Sequence, residues 1–72
     1  MKKFSVIIAE RHATSISLEE EFYAALMEIV REQQTTLNHL VTQIDKERQT
    51  ANLSSALRLY VLKTLQEKLK SA

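Results

Sequence analysis

Ala13-Thr14-Ser15-Ile16-Ser17-Leu18-Glu19-Glu20-Glu21-Phe22 is the stretch whose reading decides the fold. Thr14, Ile16 and Leu18 fall on one side of a two-residue period, and Ala13, Ser15 and Ser17 on the other. Alternation of this kind marks a strand with one buried face, and the β-branched Thr14 and Ile16 suit a pleated surface. Ser17 and Glu20 have the S-x-x-E spacing of a capping box, which predicts a helix from about residue 18. Glu19, Glu20 and Glu21 fall in its first turn, where the helix dipole favours negative charge.

Upstream, Phe4, Val6 and Ile8 alternate with Lys3, Ser5 and Ile7, so a second strand is expected over about 3–9 beside one over 13–18. Ala9-Glu10-Arg11-His12 separates the two. Downstream, Phe22, Ala25, Leu26, Ile29 and Val30 keep helical spacing to about residue 33. Thr36 is placed to cap a helix over 37–48 whose apolar face is Leu37, Leu40, Val41 and Ile44. Asn52 is placed to cap a helix over 53–70. Its apolar positions (Leu53, Ala56, Leu57, Tyr60, Val61, Leu65, Leu69, widened by Leu59 and Leu62) predict burial against more than one neighbour. The chain has no Gly and no Pro, so its turns lack their usual markers.

With 72 residues the chain is read as one domain, 1–72. A core this small is marginal alone, yet 44% of the residues are apolar and no cysteine staples them, which favours association between copies. Net charge is only +1, but it is segregated. Lys2, Lys3 and Arg11 stand near the start, and Arg58, Lys63, Lys68 and Lys70 near the end; the middle is acidic. A local basic patch suffices for phosphate contact. No apolar run approaches the roughly 20 residues of a membrane span, nor the ~7–15 of a signal-peptide core. A cytoplasmic protein away from membranes is expected. His12 and His39 have no companions at metal-ligand spacing, and no nucleophile–base pattern stands out. Neither a metal, another cofactor nor an enzyme activity is expected.

The residues 14–44 resemble the ribbon-helix-helix family of dimeric DNA-binding proteins. The likeness rests on Thr14-Ser15-Ile16-Ser17-Leu18-Glu19, on Phe22, Leu26 and Ile29, and on Leu37, Leu40, Val41 and Ile44 after a turn at Gln34–Thr36. More narrowly, the Thr14–Glu19 junction, the Phe22-Tyr23 pair and the segment Asn52–Leu62 are similar to a bacterial branch of that family. The resemblance implies a mainly α fold with a short β ribbon. It is an intertwined homodimer with an extra N-terminal strand and a third, C-terminal helix. The strand over 3–9 either forms a hairpin with Thr14–Leu18 or extends across the partner.

The resemblance also implies a site. A two-stranded ribbon fits the DNA major groove, with outward side chains toward base edges. Here these are Ala13, Ser15 and Ser17. The start of the second helix, at Thr35, Thr36 and Asn38, is expected to meet a phosphate through backbone N–H groups. Arg11, with Lys2 and Lys3, is expected at phosphates if the first strand lies near the duplex. The turn before that helix usually carries Gly in such proteins, and here holds Gln34. Two functions follow: a homodimeric transcriptional regulator on DNA, or an antitoxin-like or structural protein-interaction module without specific DNA readout. The third helix is expected to serve the core or a dimer of dimers, and is also the surface for a protein partner.

Overall fold

A computed structural model describes residues 1–71. Two strands, β1 (Lys2–Ile8) and β2 (His12–Leu18), precede three helices, α1 (Glu20–Glu32), α2 (Leu37–Glu47) and α3 (Leu53–Ser71). The strands pair antiparallel, from Lys2 opposite Leu18 to Ile8 opposite His12. Of the two placements open for the first strand, the hairpin is the one found. The two-stranded sheet of the structure is therefore formed within one chain.

The hairpin turns without glycine. Arg11 N–H donates to the Ile8 carbonyl at 3.1 Å, and the two residues of the turn are left-handed: φ is 54° at Ala9 and 61° at Glu10. Left-handed backbone costs an L-residue roughly 1–2 kcal/mol, but positive φ at both central residues matches the twist of paired strands.

The inner face of the ribbon carries Val6, Ile16 and Leu18, all buried, with Phe4 and Ile8 partly so. They close on Leu26, Ile29 and Val30 of α1, Leu40, Val41 and Ile44 of α2, and Ala56, Leu57 and Val61 of α3. Every buried side chain among the described residues is apolar. Phe4 and Tyr23 add a tilted ring pair 4.9 Å apart at the margin.

Two expectations are corrected. The capping box does not form: Ser17 and Leu18 stay in the ladder, so α1 starts at Glu20 with Glu19 as its N-cap and no side-chain cap. The third helix is not buried along its length. After Val61 it outruns the other elements, leaving Leu62, Leu65 and Leu69 at 48%, 43% and 77% exposure, with Leu59 at 49%. A 19-residue helix is longer than the 13-residue α1 beside it by about 9 Å.

The other caps form as expected. Thr36 Oγ1 accepts from His39 N–H at 3.1 Å, and Asn52 Oδ1 from Ser55 N–H at 3.2 Å. At the end of α1, Thr35 N–H donates to the Val30 carbonyl and Gln34 N–H to Arg31, both at 3.1 Å. This is a Schellman closure, and it puts Gln34 at the left-handed position, φ 53°. Gln34→Gly removes the Cβ clash there. It is expected to raise stability by up to about 1 kcal/mol, moving Tm up by roughly 4–8 °C when both proteins are melted at equal concentration.

Candidate nucleic-acid interface

The hairpin register joins two sets of outward residues. Lys3 lies opposite Ser17, Ser5 opposite Ser15, and Ile7 opposite Ala13. Lys3, Ser5, Ala13 and Ser15 are exposed, Ile7 is 49% exposed, and Ser17 is partly covered. The face is thus small and polar at its centre, with a cation at one corner and a methyl-rich pair at the other. Arg11 sits exposed in the turn at the Ile7 end. Ser5 and Ile7 enter this face through the register, which alternation within each strand does not supply.

The two lysines of β1 are separated by the pleat. Lys2 follows the inner parity and its Nζ lies 5.4 Å from the Tyr23 ring centroid, a cation–π distance. Lys3 points to the outer face and has no carboxylate within salt-bridge distance among the described residues. Arg11 likewise has none.

The two edges of the ribbon differ. On the β1 side, Asn38 Oδ1 accepts from Ile7 N–H at 3.0 Å and Thr42 Oγ1 from Ala9 N–H at 3.1 Å. Residues 38 and 42 are one helical turn apart and 7 and 9 share one strand parity, so α2 caps the Ile7–Ala9 end of that edge and satisfies these two donors, while the outward N–H groups of Lys3 and Ser5 stay open to solvent. No side chain among the described residues makes a hydrogen bond to the outer edge of β2 over Ala13–Ser17. An uncovered edge is a template for another strand.

Of the expected contacts at α2, Thr36 is committed to its cap and Asn38 to the β1 edge through Oδ1. The backbone N–H groups of the first turn retain the anion-binding geometry of any helix start. That turn stands beside Ile7, at the flank of the outer face. Thr35 is partly buried in the α1 closure. Among the described residues, no three His, Cys, Asp or Glu side chains gather as a metal site.

Below the ribbon, Arg58 of α3 grips Glu19 with two bonds, Nε to Oε1 at 2.8 Å and a second nitrogen to Oε2 at 3.2 Å. The pair ties the strand-to-helix junction to the third helix. The Arg58 hydrogen bonds, helped by a backbone bond, hold the Glu19 carboxyl below its ordinary 4.5.

A family model of the ribbon-helix-helix domain matches residues 1–65, from the first strand into α3. The chain belongs to the ribbon-helix-helix family. Comparison with curated proteins and with solved structures finds no match. Members of the family generally bind DNA as dimers and are typically not enzymes. No helix among the described residues of this ribbon-helix-helix chain is long and apolar enough to cross a membrane.

The edge bonds and the ion pair each give a test. Asn38→Ala and Thr42→Val each strand a β1 N–H, so each is expected to cost about 0.5–1.5 kcal/mol in urea unfolding. The double variant is expected to aggregate faster than either, by light scattering, because it uncaps the Ile7–Ala9 end of the β1 edge. For Glu19, a depressed folded-state value means its pairing stabilises the fold above about pH 4.5. That contribution is lost as pH falls below it through the folded-state value. The half-exposed carboxylate makes the effect small. Arg58→Gln is expected to flatten the acid limb of a stability–pH curve relative to wild type, and a curve of unchanged shape contradicts this role.

Proposed function

We propose that this ribbon-helix-helix chain is a homodimeric DNA-binding protein that regulates transcription in the bacterial cytoplasm. The observation that carries the reading is the strand edge of β2, which no helix side chain caps, beside a face of small polar side chains. Because the Ile7 and Ala9 N–H groups point outward from β1, the non-bonded pairs of the hairpin are the odd-numbered ones. On β2 the outward backbone groups are then those of Ala13, Ser15 and Ser17. In the antiparallel register that pairs all three of these residues between two copies, Ser15 lies on the two-fold axis and Ala13 stands opposite the partner subunit's Ser17.

In this assembly the two β2 strands form the central ribbon of the major-groove reading mode. Ser15 and Ser17 supply hydroxyls, and Ala13 a methyl contact. The first turn of α2, at Thr35, Thr36 and Asn38, offers its N–H groups to a phosphate on the flank, and Arg11 adds a charge at the end.

Fluorescence-anisotropy titrations with duplex DNA test the reading. Binding is expected to tighten steeply as salt falls from about 200 to about 50 mM. Absence of binding at the low end refutes it. Ser15→Pro removes an N–H that the hairpin does not use, so it is expected to leave the chain folded but monomeric by sedimentation. Its DNA affinity is expected to fall with the dimer. Ala13→Glu is expected to weaken DNA binding at least about tenfold while the dimer persists.

One observation favours a second reading. Leu59, Leu62, Leu65 and Leu69 form an exposed apolar stripe on α3, the surface an antitoxin-like protein partner or a dimer of dimers would cover. A stoichiometric protein partner together with no DNA affinity at low salt selects that function.

A further inference from the structure

We infer that β1 is a phosphate-contacting strand, and that Lys3 is the residue through which it straddles the walls of the major groove. The inference rests on the DNA-binding reading above and on one added geometric fact. The hairpin makes the DNA-facing sheet of the dimer four strands wide, in the order β1, β2 and then the partner's two.

At about 4.8 Å between neighbours, the two outer strands lie about 14 Å apart, wider than the roughly 12 Å of the groove. Only the central pair fits between the walls, so the β1 strands sit over the phosphate ridges. The registers fix what they bring there. Lys3 stands opposite Ser17 and Ile7 opposite Ala13 within the chain; in the proposed pairing centred on Ser15, one transverse row of the face then runs Lys3, Ser17, the partner subunit's Ala13 and the partner subunit's Ile7, and the next-but-one row is its two-fold mate. Lys3 therefore occupies diagonal corners, about 20 Å apart from the partner subunit's Lys3 by strand spacing and rise.

Three properties suit Lys3 to this role. It is exposed on the outer face, it has no acidic partner among the described residues, and no acid stands on that face. Lys2, one residue away, is turned under the sheet onto Tyr23. The Asn38 and Thr42 bonds anchor the Ile7 end of the strand, and pairing with Ser17 in the ladder places Lys3 at the other. The wide sheet also limits how deeply the central strands enter. Short serine and alanine side chains make few contacts with base edges, so phosphate contact supplies most of the affinity and Lys3 contributes equally on any sequence.

The test is the slope of log affinity against log salt for wild type, Lys3→Ala, Lys3→Arg and Lys2→Ala, each on two unrelated duplexes. Two phosphate contacts per dimer are worth a slope of about 2. Lys3→Ala is expected to lower the slope by about that amount on both duplexes, Lys3→Arg to restore it, and Lys2→Ala to leave it near wild type. If wild type binds and Lys3→Ala keeps the wild-type slope, or loses no more than Lys2→Ala, the inference is overturned while DNA binding stands. If wild type does not bind, the functional reading itself has failed.

Discussion

A two-stranded sheet has two edges, and in this fold a helix caps one end of the β1 edge while the β2 edge receives no side-chain bond over Ala13–Ser17. Asn38 and Thr42 stand one turn apart on α2 and accept the N–H groups of Ile7 and Ala9. Those two bonds fix α2 against β1 and hold the hairpin over the core. They also leave β2 as the edge on which a second copy can add. A net hydrogen bond is worth only about 1 kcal/mol, but an unpaired edge invites indiscriminate strand addition. The consequence for assembly thus exceeds the consequence for stability, because a helix along one edge hinders strand addition there and leaves β2 the more accessible edge.

The backbone reaches this arrangement without glycine, and it does so at cost. Ala9, Glu10 and Gln34 all hold positive φ. The first two reverse the chain tightly enough to bring β1 back along β2. The third closes α1 so that α2 can turn toward the β1 edge. Each costs roughly 1–2 kcal/mol, and the offset comes from the apolar core. Fully burying a side chain such as Leu18, Leu26 or Leu57 contributes about 1.5–3 kcal/mol. The strained positions are therefore affordable only because both strands and all three helices share one core.

Element type and order were legible because each element repeats its own period. Thr14, Ile16 and Leu18 announce a strand, and Leu37, Leu40, Val41 and Ile44 a helix, whatever surrounds them. The caps at Thr36 and Asn52 were equally local. What failed was competition between local signals and pairing. Ser17 fits a capping box, but its place opposite Lys3 in the ladder keeps it in the strand. Leu65 and Leu69 fit a buried face, but α3 extends past anything that covers them. The outer face was half legible: alternation gives Ala13, Ser15 and Ser17, whereas Lys3, Ser5 and Ile7 join them only through the register. The edge role of Asn38 and Thr42 had no local signal, since their partners lie more than thirty residues away.

The near-neutral total charge looks unpromising for a nucleic-acid binder until the charges are placed on the fold. The outer ribbon face carries Lys3 and no acid, with Arg11 and Glu10 together in the turn at its end. The acids concentrate on α1, where Glu20, Glu21 and Glu28 are exposed on a helix packed under the ribbon's inner face. Their repulsion by phosphates acts from the far side of the molecule. At a Debye length of about 8 Å it is screened across the thickness of the core but felt if α1 approaches first. On the DNA-binding reading proposed above, segregation of this kind adds little attraction; it orients the encounter, presenting the ribbon and withholding the acidic helix. A weakly charged protein can in this way meet DNA with one face.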